Sequence, residues 1–125
     1  MKGLAAAVVS LTGAETLTNK TLTSPVITSP DVIQAIASHD YAAAAADWTL
    51  TAAEKKCGII IVTNANAAVN AIATPTAGKV YIIKNTSGQA LTFKAAEQTG
   101  VAIASTKKAI VMGNGTDFER ISADA

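Results

Sequence analysis

Residues 17–32, LTNKTLTSPVITSPDV, repeat every five positions. The units are LTNKT, LTSPV and ITSPD, and a fourth begins at Val32 and Ile33. Leu17, Leu22, Ile27 and Val32 occupy one point of the unit; Thr18, Thr23 and Thr28 follow them, and Pro25 and Pro30 fall in the second and third units. A period of five matches neither the about 3.6 of a helix nor the 2 of a strand. One long helix or one flat strand therefore cannot keep the four apolar residues on one side. The spacing predicts short extended pieces separated by turns, with proline fixing φ at each corner. Such a ribbon has too little apolar surface to fold alone, and repeat units bury their faces only against neighbours. Other copies of the same chain are the expected neighbours, with Leu17, Leu22, Ile27 and Val32 at their interface.

Composition points the same way. At 125 residues there is room for one compact domain plus an arm. Half of the residues are apolar, but many are alanine and only 4% are aromatic. Alanine buries little area, so the core of a monomer is expected to be thin, a deficit that oligomerisation commonly makes up. A net charge of +1 argues against gripping nucleic acid or an anionic membrane by bulk electrostatics. The single cysteine, Cys57, excludes an internal disulfide framework and a cysteine-based zinc site. No apolar run reaches the ~18 residues of a membrane span. The opening residues, Met1-Lys2 and then Gly3 to Val9, superficially resemble a short signal peptide. We read them instead as a retained arm held by a partner.

The chain divides into an arm (1–15), a repeat stalk with linker (16–46) and a β domain (47–125). Residues 32–37 are expected to form one helical turn or an extended lead-out, and Ser38-His39-Asp40 a linker. The alanine run that follows Tyr41 fits either a marginal helix or a closely packed extended spacer. From Asp47 onward β signals dominate. Trp48-Thr49-Leu50 reads as a short strand. Thr51 and Glu54 have capping-box spacing for a short helix ending at Gly58. The run Ile59-Ile60-Ile61-Val62-Thr63 suits a strand buried on both faces. Further strands are expected at 68–72, 79–84, 90–94, 101–104, 109–112 and 117–121. Asn85-Thr86-Ser87-Gly88 and Asn114-Gly115 carry hairpin turn chemistry. Short strands at spacings near ten residues predict a small antiparallel β-sandwich or barrel-like domain.

Signals for chemistry are sparse. His39-Asp40 lacks a nucleophile nearby, and a solvated linker explains it better. One histidine and one cysteine make no zinc or copper constellation. Asp117 beside Asn114-Gly115 is too close for a calcium-binding loop of the EF-hand type, and hairpin chemistry accounts for it. Cys57 lies between Lys56 and Gly58, where a reactive thiol is one reading, but a small buried residue at a helix end is the better one. Lys55-Lys56 and Lys107-Lys108 suit strand ends and edges, and Gly113 to Thr116 lacks the lysine and length of a P-loop. Three Asn-x-Ser/Thr triplets, at Asn19, Asn85 and Asn114, are incidental without secretory evidence. Trp48 and Tyr81 are expected in the core rather than as a sugar-stacking platform. No cofactor, metal or catalytic residue is expected.

The stretch LTGAETLTNKTLTSPVITSP, Leu11 to Pro30, resembles a segment that recurs in bacteriophage tail-fibre and other virion-fibre proteins. The second half, through TLTAAEKKCGIIIVTNA, GKVYIIKNTSGQALTFKAA and GNGTDFERI, is similar to a small β module of phage structural proteins. The resemblance implies trimeric, interwound β shafts leading to a knob. Four five-residue units extended at roughly 3.3 Å per residue span no more than about 65 Å. So short a shaft fits a head fibre or capsid decoration protein better than a full tail fibre. The resulting expectation is a mainly β homotrimeric structural virion protein. Its arm, through Leu4, Val8, Val9 and Leu11, anchors to the major capsid protein at the capsid surface, and its knob projects outward. Such a protein is made in the host bacterial cytoplasm, and a host-surface glycan is a candidate ligand of the knob. A short tail fibre or tail-tip protein that binds a host receptor is the alternative. A glycan-cleaving enzyme needs a carboxylate pair, which nothing in the sequence singles out.

Overall fold

The computed structural model describes residues 13, 14 and 16–122. The chain forms two compact units divided between Asp31 and Val32. In the first unit the five-residue period appears in the backbone. Asn19, Ser24 and Ser29 take left-handed φ angles of 56°, 50° and 51°. Each is the third residue of its sequence unit, so the corner stands one residue ahead of Pro25 and Pro30. The prolines therefore follow the turns rather than form their corners. Asparagine tolerates this conformation better than serine does.

Among its described residues the second unit contains nine strands: β1 (Ile36–Ala44), β2 (Trp48–Thr49), β3 (Ile59–Ala65), β4 (Val69–Ile72), β5 (Val80–Thr86), β6 (Leu91–Lys94), β7 (Val101–Ile103), β8 (Lys108–Gly113) and β9 (Phe118–Arg120). They make a five-stranded sheet, β1-β3-β5-β8-β9, and a four-stranded sheet, β2-β4-β6-β7. From β1 to β6 the chain changes sheet at every step, so strands two apart in sequence lie side by side and run parallel. The pairing steps by a constant interval. Ile36, Ile59 and Ile82 are in register 23 residues apart, and Trp48, Ala71 and Phe93 follow at 23 and 22. The result is a coil of three turns. Strands β7, β8 and β9 then add antiparallel pairs next to the last turn.

The sheets are thus mixed rather than antiparallel as expected. A parallel pair needs a long crossover, and here the strand of the opposite sheet supplies it in place of a helix. The same topology corrects the hairpin expected at Asn85 to Gly88. That turn carries the chain from β5 in one sheet to β6 in the other. The expected linker and the start of the alanine run form β1, which pairs with β3. Its small side chains end the strand irregularly, with Ala42 and Ala43 at positive φ. Strand β3 is buried on one face only: Ile60 and Val62 are inside, while Ile59 and Ile61 are half-buried. The capping box does form, since the Thr51 amide donates to Glu54 Oε2 at 2.8 Å and the Glu54 amide to Thr51 Oγ1 at 3.2 Å. It precedes only one 3₁₀ turn, Glu54–Lys56. Asn114 and Gly115 do begin the connection of an antiparallel β8–β9 hairpin.

One core fills the space between the sheets. Ile60, Ile83, Tyr81 and Val111 meet Leu91, Phe93, Ala71 and Ile103, all essentially inaccessible. At the last turn Tyr81, Phe93 and Phe118 pack with centroids 4.7–6.0 Å apart, distances at which aromatic pairs add to plain burial. At the first turn His39 lies flat on Trp48, 4.4 Å away, and Tyr41 meets His39 edge-on. The Tyr41 hydroxyl donates to the Asn70 carbonyl at 2.7 Å. Coiled folds need such covers where stacking stops. Trp48 and Tyr81, as expected, belong to the core.

Candidate functional site

Three surfaces stand out from the ordinary polar exterior. The first is the repeat itself. Leu17, Leu22, Ile27 and Val32 are 47%, 56%, 61% and 66% exposed, and Val26 and Ile33 more so. Leu4, Val8, Val9 and Leu11, the expected anchoring residues, lie outside the described residues. Several large aliphatic side chains in an extended segment give a strong drive to bury it, at roughly 25 cal/mol per Å².

The second surface is the outer face of the five-stranded sheet. Register places Ile36, Ile59, Ile82 and Ile110 in one row across four strands. Ile121 continues it just past β9, its amide donating to the Ile110 carbonyl at 2.9 Å. Ile36, Ile82 and Ile121 are 56%, 43% and 54% exposed. Ile61 lies on one side of this row, and Val80 and Met112 on the other. Sequence reasoning missed this face because it took Ile59 to Val62 as buried on both sides. The signal was present as isoleucine recurring at 36, 59 and 82.

The third is a groove of about 370 Å³ lined by Thr49, Lys55, Thr74, Pro75, Ala96 and Thr116 among others. It lies where β2, β4 and β6 end. Lys55 Nζ donates to Thr74 Oγ1 across 3.1 Å. Threonine hydroxyls and one ammonium make hydrogen-bonding partners for a polar solute, without a nucleophile–base pair.

The titratable residues singled out in the sequence serve the fold. His39 stacks on Trp48 instead of pairing with Asp40, whose carboxylate accepts the Ala42 amide. Burial lowers the His39 pKa from its usual 6.5, against the opposing pull of Glu54 and Asp40. Asp117 accepts the amides of Ala95 and Gly100 at 3.0 and 2.7 Å and so ties the segment after β6 to the β8–β9 hairpin. Burial alone raises its carboxyl, but the backbone amides and the charge of Lys94 prevail and hold it below 3.8. Cys57 is half-buried beside the core at the end of the 3₁₀ turn. Among the described residues no group of three His, Cys, Asp or Glu side chains is placed to hold a metal ion, and no helix is long and apolar enough to cross a membrane.

No family model matches the chain, and no curated protein or solved structure matches it in sequence or fold.

Proposed function

We propose that the chain is a homotrimeric structural protein of a phage virion, a head fibre or capsid decoration protein. Its N-terminal arm anchors it to the major capsid protein, the repeats of three copies wind together, and the coiled β domain projects as a knob. The observation that carries this reading is the repeat. Leu17, Leu22, Ile27 and Val32 recur at one point of the unit and are all exposed in the single chain. Packing three such segments around an axis buries those side chains without a catalytic or ligand-binding site. The resemblance of residues 11–30 to virion-fibre segments gives the setting. The knob then acts by contact, and many copies on one particle make a weak contact with a surface glycan effective.

Cryo-EM of particles with and without the protein tests the location. Head density at a symmetry axis that disappears with the protein supports decoration. Density confined to the tail overturns the head placement in favour of a receptor-binding tail protein. Native mass spectrometry tests the assembly: the wild-type chain is expected as a trimer, and Leu22→Asp with Ile27→Asp as a monomer.

A further inference from the structure

Asn114 is the one asparagine in the chain that a glycine follows, and both residues are exposed in the turn between β8 and β9. Asparagine is among the thermally labile residues, and glycine has no Cβ to shield the backbone nitrogen next to it. In mildly alkaline water the Gly115 nitrogen gives up its proton and attacks the carbonyl carbon of the Asn114 side chain. A carbon–nitrogen bond forms and closes a succinimide ring, while the side-chain nitrogen takes up a proton and leaves as ammonia. Water then opens the ring at either carbonyl, leaving aspartate or isoaspartate. Sequence and exposure favour this reaction, and the hydrogen bonds of the folded turn oppose it. Asn114 Oδ1 accepts the amides of Thr116 and Asp117 at 2.9 and 2.8 Å, and Nδ2 donates to Glu119 Oε1 at 3.0 Å. The attacking nitrogen is occupied too, since the Gly115 amide donates to the Pro75 carbonyl at 2.8 Å. Residues 75 and 76 pack so closely on this turn that a Cβ added at Gly113 would collide with the Thr76 carbonyl. The two donors on Oδ1 polarise the side-chain carbonyl as an oxyanion site does, but polarisation helps only a nucleophile that is free to approach.

We propose that Asn114 is a gated modification site, protected while the β8–β9 hairpin is closed and converted to aspartate or isoaspartate when it opens. Strand β9 is short and lies at the edge of the five-stranded sheet, and such elements open at less cost than the core. Opening frees the Gly115 amide from Pro75 and the Asn114 side chain from Glu119. The product then matters to the fold. Its carboxylate faces Glu119 where an amide had donated, an unfavourable pairing of like charges. Isoaspartate also adds a carbon to the backbone between the paired residues Gly113 and Phe118, and Phe118 belongs to the core. Conversion therefore holds open what opening began, and the change runs one way.

The test uses the full chain in mildly alkaline buffer, with site-resolved mass spectrometry following aspartate and isoaspartate at position 114. Folded wild type is expected to convert at least about tenfold more slowly than the same chain unfolded in urea. Asp117→Asn loosens the hairpin, and once circular dichroism confirms that it is folded it is expected to convert about threefold to tenfold faster than folded wild type. Glu119→Ala removes the Nδ2 acceptor at an exposed position without touching the core, and is expected to shift the rate in the same direction. Equal rates in folded and unfolded wild type overturn the protection. A faster rate in the folded chain overturns it in favour of activation by the two donors on Oδ1. Folded variants that both convert like folded wild type overturn the gating, and absence of conversion even in urea overturns the site itself.

Discussion

Asn85 accepts the hydroxyl of Ser87 at 2.7 Å through its side-chain oxygen, deep inside the β domain. The same oxygen takes the Ser87 amide, while the Asn85 side-chain nitrogen donates to the carbonyls of Gln89 and Ile103 at 2.8 and 2.9 Å. One fully buried amide group therefore shapes the turn where the chain leaves β5 for the opposite sheet, and ties it to β7. Leucine at this position has comparable volume but satisfies none of these groups. Each buried polar group left unpaired costs about 1–3 kcal/mol. Asn85→Leu is expected to lose about 2–4 kcal/mol in urea unfolding, and Ser87→Ala about 1 kcal/mol. Equal losses for the two would mean that Asn85 is not the organising member.

Glycine conformation gives a second, sharper contrast. Gly88 and Gly100 both have positive φ, 88° and 71°. Nothing lies within 4 Å of a Cβ added at Gly88, whereas one at Gly100 runs into the Phe93 carbonyl and the Lys94 side chain. Gly88→Ala is expected to cost about 1 kcal/mol from the backbone alone. Gly100→Ala must also shift β6 backbone, and is expected to cost about 3 kcal/mol or more. Paired thermal melts settle the comparison.

Asp117 makes the hairpin sensitive to acid. Its folded pKa lies below 3.8, so its contribution is complete above the unfolded value and fades as pH falls through the folded one. Wild type is expected to lose stability as pH falls below about 4, partly on this account. An asparagine in its place cannot be equivalent, because the amide nitrogen would face one of the two donors at Ala95 and Gly100. Asp117→Asn is therefore expected to be less stable at pH 7 and to show a flatter acid limb. An unchanged acid limb would assign that loss to other carboxylates.

How much of this was legible in the sequence differs by scale. Turn chemistry at Thr51–Glu54 and Asn114–Gly115 is local and acts as the residues dictate. Strand existence was also readable from β-branched runs. Strand partners were not, because alternation at 69–72 or 80–86 fits parallel and antiparallel neighbours equally. The 23-residue step is nearly silent because its equivalent positions trade volume. Trp48, Ala71 and Phe93 fill one column with unlike side chains, as do His39, Val62 and Asn85. Only the outward isoleucines, Ile36, Ile59 and Ile82, keep one residue type through all three turns. The repeat at 17–32 was plain because its exposed residues recur without such trading, although the corner proved to be Ser24 and Ser29 rather than the prolines after them.

The stacked pair at the first turn provides its own reporter. Trp48 is the only tryptophan, and His39 lies parallel to it at 4.4 Å. Burial holds the His39 pKa below 6.5, although Glu54 and Asp40 both favour its charged form. The sign follows from linkage. The unfolded chain takes up the proton more readily, so the stability from neutral His39 is complete above pH 6.5 and declines as pH falls below it. Attraction of the imidazolium to the indole face moderates the loss without reversing it. Tryptophan emission from the folded protein is expected to titrate with a midpoint below 6.5, and His39→Gln to abolish that transition. The variant should also lose less stability than wild type between about pH 7.5 and about 5. A fluorescence midpoint at or above 6.5 would mean that the two carboxylates outweigh burial, and the slope of stability with pH in this window would then be reversed.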